Sequence, residues 1–365
     1  MSYLVRVENE LERISREGRL RVLDAEEPKV FADFSSNDYL GLAKDSRMVE
    51  AVKHVKRVGA GGARLLGGRL RDHYALEQEI AKFLGRERAL LFSSGYMAAV
   101  GVLPVLSRLV ETAYSDELNH ASLIDGLRLG RARRVVYAHA ALPPKSTRST
   151  PALVVTESLF GMNGDTVDVA SVAADLCDED IMLVDEAHAL GVLGPSGAGI
   201  AYGVSDPRIV IMGTLSKAFG AAGGFIAGPA PLIELFVNAA RTFIFDTAMP
   251  APIAFAARVG VMLAQTNGEL RTRLHAKARR LREGLHTLGL PAIDGPSPIV
   301  SVVLGDERRA LEVAAECLKR GVYAPAIRPP TVPPGTSRLR ICVRADHTDE
   351  QIDALLDALR CTVIS

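Results

Sequence analysis

The sequence lacks the features that mark metal-binding, nucleic-acid-binding and disulfide-rich proteins. Its four cysteines, Cys177, Cys317, Cys342 and Cys361, lie far apart without a CxxC pair, which argues against a zinc site or a disulfide framework. The 43 lysines and arginines equal the 43 aspartates and glutamates, so no net charge attracts nucleic acid or an acidic membrane surface. We therefore expect no metal site and no nucleic-acid partner.

Long apolar stretches are also missing. Residues 1–20 follow an amphipathic helical pattern with alternating charges and lack the apolar stretch of a signal peptide. No window of about 18 residues is free of glycine, proline and charge, which argues against a membrane-spanning helix. Together with the wide spacing of the cysteines, which does not suggest disulfide bonds, this pattern leads us to expect a cytoplasmic protein without membrane association.

Short apolar runs recur through the first two thirds of the chain. They are rich in Val, Ile, Leu and Ala and alternate with longer helical patterns, as parallel strands buried on both faces and joined by crossover helices do. With 48% hydrophobic residues among 365, the chain can bury a substantial core. The sequence therefore predicts an α/β fold with a large, mostly parallel sheet. The predicted strands are Ala89–Phe92, Thr112–Tyr114, Val135–Tyr137, Leu153–Thr156, Ile181–Val184 and Ile209–Met212.

After about residue 250 the pattern changes to that of a smaller α+β domain. A long helical pattern, Gly268–Gly289, precedes the strand-like Ile299–Leu304, a helix near Arg309–Arg320 and the strand-like Arg338–Val343. The predicted division is an N-terminal arm (1–40), a large domain (41–265) and a small C-terminal domain (266–365).

Most predicted strands of the large domain end in polar or glycine-rich sequence, where ligands bind in open α/β sheets. Lys217 lies beyond the sixth strand, in Thr214-Leu-Ser-Lys217-Ala-Phe-Gly. A lysine just after a buried run is unusual, because lysine is normally exposed. A lysine that attacks an aldehyde must lose its proton, and an apolar or cationic environment lowers its pKa toward neutrality. From this segment alone, an ordinary surface lysine is the alternative.

Asp185 follows the strand Ile181–Val184, so its carboxylate is expected at the strand tip. A protonated pyridinium nitrogen suits it as a partner, because the pair keeps the ring cationic and able to accept electrons from a carbanion. A helix N-cap is the alternative. His188 could bond the phenolic oxygen of the same ring, or be a core histidine. Lys217 and Asp185 together predict pyridoxal 5′-phosphate (PLP), held by Lys217 as a Schiff base.

The turn after the first strand is predicted to hold the phosphate. Gly95 and Tyr96 stand between a strand and a helix-forming run, where backbone N–H groups bind phosphate. Thr214 could add a hydroxyl to the same phosphate, although threonine is common after strands. His120 begins a predicted helix beyond another strand, where its imidazole could stack over a flat ring or serve as a cap.

Five segments resemble the α-oxoamine synthase family of fold-type I PLP-dependent transferases, and they match in order and spacing along nearly the whole chain. They are Phe34–Leu42, Ser94–Tyr96, Asn119–Ser122, Asp185–His188 and Thr214–Lys217. The resemblance implies that Lys217, Asp185 and His120 are catalytic. The further cofactor contacts that it implies are His188 at the phenolic oxygen and Gly95, Tyr96, Thr214 and Thr247 around the phosphate. The implied substrate contacts are Arg340 and Asn37 at the amino-acid carboxylate, His120, and Thr331 and Arg21 near the acyl group.

The stretch Ala326–Arg340 narrows the resemblance. Its proline-rich part, residues 327–335, cannot form a regular helix or a central strand and is predicted to be an ordered loop. It is most similar to the family members that join a pimeloyl thioester to L-alanine in biotin synthesis. The resemblance implies a homodimer that uses L-alanine and pimeloyl-CoA or pimeloyl-acyl-carrier protein. A glycine C-acetyltransferase or related condensation, or a PLP aminotransferase, would use the same lysine and aspartate and remains an alternative.

Two positions depart from the family pattern. Gly161 stands where similar synthases usually have a serine near the cofactor, so a side-chain hydrogen bond is absent there. Asp246 stands where relatives commonly have serine or threonine near the partner subunit's phosphate. Because a carboxylate would repel phosphate, Thr247 is predicted to make that contact instead.

Overall fold

The computed structural model describes residues 2–20, 30–290, 292–293 and 295–363. Its helices are α1 (Tyr3–Arg16), α2 (Ser46–Val52), α3 (Arg71–Leu84), α4 (Gly95–Leu106), α5 (Ala121–Leu129), α6 (Val169–Ala174), α7 (Ala230–Ala239), α8 (Arg241–Ile244), α9 (Ala251–Thr266), α10 (Gly268–Thr287), α11 (Glu307–Lys319) and α12 (Asp349–Val363). Its strands are β1 (Ala32–Asp33), β2 (Arg88–Phe92), β3 (Thr112–Asp116), β4 (Arg133–Tyr137), β5 (Ala152–Glu157), β6 (Ile181–Asp185), β7 (Ile209–Thr214), β8 (Gly224–Gly228), β9 (Ile299–Gly305), β10 (Val322–Tyr323), β11 (Ala326–Ile327) and β12 (Ser337–Cys342).

The large sheet has the order β2-β8-β7-β6-β5-β3-β4. Strands β3 to β7 pair in parallel, whereas β8 runs antiparallel to both β2 and β7. All six predicted strands are present, each within two residues of its predicted ends, and the mostly parallel α/β fold is confirmed. Strand β8 was not predicted, because its five residues, Gly-Phe-Ile-Ala-Gly, are bounded by glycines that weaken a strand pattern.

Helices cover both faces of this sheet, because successive strand side chains point to opposite faces. On β5, Leu153 and Val155 belong to the same core cluster as residues of α4 and α5, whereas Val154 belongs to the cluster that contains residues of α3 and α9. Every residue of β5 is buried. The alternation explains why the central strands appear in the sequence as continuous apolar runs rather than as alternating ones.

The C-terminal region forms a second, antiparallel sheet with the order β11-β12-β9, against which α11 packs. The predicted strands and helices after residue 266 correspond to β9, β12, α10 and α11. The predicted boundary at 265/266 falls one residue before the end of α9, and β1 of the N-terminal arm pairs with β10. The domain boundaries stay a prediction. Within the described ranges, no helix is long and apolar enough to cross a membrane.

Candidate active site

The carboxyl edge of the large sheet gathers most of the residues singled out in the sequence. Asp185 is the last residue of β6, and Thr214 is the last residue of the neighbouring β7. Gly95 opens α4, and His120 is the N-cap of α5. Parallel strands place these ends together, so residues about 120 positions apart in sequence meet at one edge.

Lys217 lies three residues beyond β7 and is half-buried. Burial lowers the pKa of Lys217 to about 8, and the Asp185 and Glu157 carboxylates oppose this shift. In the described part of the chain, no side chain or backbone group forms a hydrogen bond or a close ion pair with its Nζ. A lysine of this kind has a substantial neutral fraction near pH 8 and is available to attack an aldehyde.

Asp185 is oriented by its own turn. Its Oδ1 accepts the backbone N–H of Ala187 at 2.8 Å, and the side chain is 5% exposed. Burial raises the pKa of Asp185, while the nearby Lys217 ammonium lowers it. Among the residues that the structure describes, none donates a hydrogen bond to Oδ2. The free oxygen fits the proposed pairing with a pyridinium nitrogen, which would supply the missing positive partner.

His120 is held from both its backbone and its ring. The His120 backbone N–H donates to Glu157 Oε1 at 2.7 Å. The Ser122 backbone N–H donates to His120 Nδ1 at 3.2 Å, so Nδ1 is the acceptor nitrogen and Nε2 carries the proton of the neutral ring. Burial lowers the pKa of His120, which favours that neutral form. The capping alternative and a stacking role are therefore compatible, because the cap uses only Nδ1.

His188 is buried beside the departure at Gly161. Its Nδ1 lies 2.7 Å from the Tyr39 hydroxyl, and burial lowers the pKa of His188 well below its ordinary value. A Cβ atom added to Gly161 would stand only 2.3 Å from His188 Nε2. The place of a side chain at position 161 is thus taken by the imidazole of His188.

Arg340 and Asn37 come together although they are 303 residues apart. Arg340 Nη2 donates to Asn37 Oδ1 at 3.0 Å, Nη1 to Cys342 Sγ at 3.0 Å, and Nε to the Gly161 carbonyl at 2.5 Å. Arg340 lies on β12 and is 6% exposed, so these contacts fix its guanidinium. A fixed, buried guanidinium is suited to bind a carboxylate through two parallel hydrogen bonds.

The turn predicted to bind phosphate opens a helix, as expected. Ser94 caps α4 by accepting the Met97 N–H at 3.1 Å. Gly95 packs against Thr214, whose Cβ would be 3.4 Å from a Cβ at position 95, and a Cβ on Gly224 would stand 2.4 Å from the Gly95 nitrogen. Only glycine at position 224 allows this close approach. The Thr214 hydroxyl donates to the Gly223 carbonyl at 2.9 Å and lies beside the helix N-terminus, where a phosphate is predicted to bind.

Asp246 and Thr247 lie next to the same turn. The Ser93 hydroxyl donates to Asp246 Oδ2 at 2.5 Å, and both residues line a small cavity together with Thr247. Asp246 therefore has a neutral hydroxyl as its partner within the chain. The contact between Thr247 and a partner subunit's phosphate stays a prediction.

Two predicted residues, Tyr96 and Thr331, have other contacts or are exposed, and a third lies outside the described residues. The Tyr96 hydroxyl donates to Asp125 Oδ2 on α5 at 2.5 Å, and its side chain is 43% exposed. Thr331 is exposed in the loop after β11, where its backbone N–H donates to the Arg328 carbonyl at 3.1 Å. Arg21 lies outside the described residues, although Arg328 donates to the Gly18 carbonyl three positions before it.

Comparisons with known proteins identify the family. The family model for class I and II aminotransferases matches residues 29–359. An 8-amino-7-oxononanoate synthase from Anaeromyxobacter dehalogenans is 44% identical over 372 residues, covering 96% of this chain and 93% of that protein. The chain belongs to the α-oxoamine synthase family within the class I and II aminotransferases. This α-oxoamine synthase is therefore a PLP-dependent acyltransferase, as the sequence predicted.

Solved structures of related enzymes have the same fold as this α-oxoamine synthase. Serine palmitoyltransferase from S. paucimobilis with bound PLP–myriocin aldimine has a TM-score of 0.88 at 29% identity, covering 98% of both chains. The 8-amino-7-oxononanoate synthase of Francisella tularensis has a TM-score of 0.79 at 26% identity, covering 93% of this chain and 99% of that chain. The fold-type I architecture and the PLP cofactor are thus confirmed.

One residue of this site, Glu157, was seen in the sequence as a polar strand end but was given no role. Glu157 ends β5, is 4% exposed, and stands in register with Asp185. The available signal was a carboxylate directly after an apolar strand, the same signal that marked Asp185. Sequence alone does not show that strands β5 and β6 are neighbours in the sheet, and this adjacency is what brings the two carboxylates together.

Proposed function

We propose that this α-oxoamine synthase condenses L-alanine with a pimeloyl thioester to give 8-amino-7-oxononanoate, carbon dioxide and the free thiol, in biotin biosynthesis. The acyl donor is pimeloyl-CoA or pimeloyl-acyl-carrier protein. The observation that supports this substrate pair is the 44% identity, over 96% of the chain, to a relative named for that product. The site supports the chemistry, because the amine of Lys217 and the fixed guanidinium of Arg340 lie in the same cluster.

PLP, when bound, supplies an electron sink that stabilises negative charge at the amino-acid α-carbon. The proposed anchors are Lys217 for the aldehyde, Asp185 for the ring nitrogen and His188 for the phenolic oxygen. Gly95, Tyr96 and Thr214 would bind the phosphate of the same subunit. Thr247 would bind that of the partner in a homodimer.

The residues of the chain would then act on the substrates. Arg340 and Asn37 hold the alanine carboxylate, and Lys217 Nζ removes the α-proton once it has lost its own proton. His120 would hold the cofactor ring by stacking, and its Nε2 proton would be available to the incoming acyl group. Thr331 and Arg21 are proposed to contact that acyl group. The Lys217 ammonium formed in that step would return a proton to the α-carbon of the product.

The test is a thiol-release assay with purified protein, PLP and a small panel of substrates. We expect release with L-alanine and pimeloyl-CoA at a kcat/KM at least tenfold above that with glycine and acetyl-CoA or with L-serine and palmitoyl-CoA. A preference for either of the other pairs would overturn the assignment. Lys217→Ala should abolish both turnover and the absorbance of the lysine-bound cofactor, and retention of either would remove Lys217 from its role.

A further inference from the structure

Glu157 is a buried carboxylate for which the proposed reaction has no role. It lies at the carboxyl edge of the sheet, in register with Asp185 on the neighbouring strand. Burial raises the pKa of Glu157 to about 8, the Asp185 charge adds to this shift, and Lys217 opposes it. A buried carboxyl group costs free energy unless it makes hydrogen bonds, so the contacts of Glu157 explain what it contributes.

The contact that distinguishes Glu157 is with the backbone of His120. Its Oε1 accepts the His120 N–H at 2.7 Å, and the preceding residue, Asn119, donates from Nδ2 to the Val155 carbonyl at 2.8 Å. Strand β5 therefore holds two successive residues of the turn that leads into α5. These two hydrogen bonds attach the turn to β5, whose last residue, Glu157, is in register with Asp185.

The ring of His120 follows its backbone. Its Nδ1 accepts the Ser122 N–H at 3.2 Å and lies 2.8 Å from the Ser122 hydroxyl, so the imidazole is tied to the first turn of α5. Movement of the His120 backbone would carry the imidazole with it. A displacement of about 1 Å in a group that contacts a reacting centre can cost a hundredfold in rate.

We propose that Glu157 is a positioning residue that sets the height and tilt of the His120 imidazole over the cofactor ring, by accepting the His120 backbone N–H. The inference rests on the proposed stacking role of His120. The ends of two neighbouring strands would then have different roles at the cofactor ring. Asp185 at the end of β6 would pair with the ring nitrogen, and Glu157 at the end of β5 would position His120.

The test is a double-mutant cycle on the holoenzyme, with Glu157→Ala and His120→Ala alone and combined. The readouts are the apparent Kd for PLP and the visible circular dichroism band of the bound cofactor, which reports the orientation of the ring. Glu157→Ala should raise the Kd about tenfold, equivalent to about 1.4 kcal/mol, and change the band, because the His120 backbone would lose the acceptor that fixes it at 2.7 Å. In the His120→Ala background the same change should alter the Kd less than about twofold.

Two further variants keep the result decisive. Glu157→Gln, run through the same cycle, should raise the Kd by a smaller factor, because its amide oxygen can still accept the His120 N–H. Glu186→Ala is the matched control: Glu186 is also buried and accepts two backbone N–H groups, from Ile200 and Ala201. It should lower the melting temperature without changing the dichroism band.

The outcomes separate this inference from the proposed reaction. The positioning role would be overturned if the Glu157 substitutions changed the Kd for PLP equally in the presence and in the absence of the His120 side chain. It would also be overturned if the Kd were unchanged in folded Glu157 variants or in His120→Ala. If Glu157→Ala does not fold, the Glu157→Gln cycle decides by the same criterion. Thiol release by the wild-type enzyme tests the reaction independently, so either proposal can fail while the other stands.

Discussion

Adding one carbon at Gly161 is expected to disrupt the active site. A Cβ at this position would lie 2.3 Å from His188 Nε2 and 2.9 Å from two carbons of the same ring. The backbone cannot retreat freely, because the Gly161 carbonyl accepts the Nε proton of Arg340 at 2.5 Å. The ring must therefore move, which breaks its 2.7 Å contact with the Tyr39 hydroxyl.

Two costs add up in Gly161→Ala. Overpacking a filled site costs about 1–3 kcal/mol, and a buried polar group left without its partner costs about 1–3 kcal/mol. We therefore expect the variant to lose about 2–6 kcal/mol of unfolding free energy. His188→Ala should remove the clash, so adding Gly161→Ala to that variant should cost less than about 0.5 kcal/mol.

Urea denaturation of the apoenzyme measures this effect, and cofactor titration shows whether PLP affinity falls with it. Gly59→Ala is the matched control, since no heavy atom lies within 4 Å of a Cβ built there; it should change stability by no more than about 1 kcal/mol. A Gly161→Ala variant as stable as the wild type, or one equally destabilised in the absence of the His188 ring, would refute the steric argument.

Three other predictions concern charged groups. The rate at which PLP couples to Lys217 in the apoenzyme should rise with pH through a midpoint of about 8; a midpoint near 10 would contradict the lowered pKa of Lys217. Burial lowers the pKa of His139, but Asp165 and Asp116 together raise it above its ordinary value of about 6.5. Its stabilising contribution is therefore complete below that ordinary pKa and is lost as pH rises through the folded pKa. His139→Gln should flatten the stability–pH curve in that window, and an unchanged curve would exclude His139 as its source. Arg340→Lys should raise the KM for L-alanine about tenfold or more, because an ammonium lacks the guanidinium fork; an unchanged KM would remove Arg340 from carboxylate binding.

Local sequence patterns predicted the strands that are buried on both faces of the sheet. Strands β5, β6 and β7 are buried on both faces, so their apolar runs stand out in the sequence, and Asp185 and Lys217 are recognisable as exceptions just beyond such runs. Strand β8 escaped prediction, because its antiparallel pairing with β2 and β7 is a long-range choice that its glycine-bounded sequence does not encode locally.

The sequence by itself therefore determined the α/β class, the order of the central strands along the chain, and the chemical types at the strand ends. Tertiary structure alone decided which of these side chains meet. The contact between Arg340 and Asn37 spans 303 positions, and that between Glu157 and His120 spans 37. The physical reason is that hydrophobic periodicity shows only on which face of its own helix or strand a residue lies. The distances between residues of different elements depend on strand order and side-chain packing. The close approach of the His188 ring to Gly161 depends on such a distance, and no local sequence pattern predicts it.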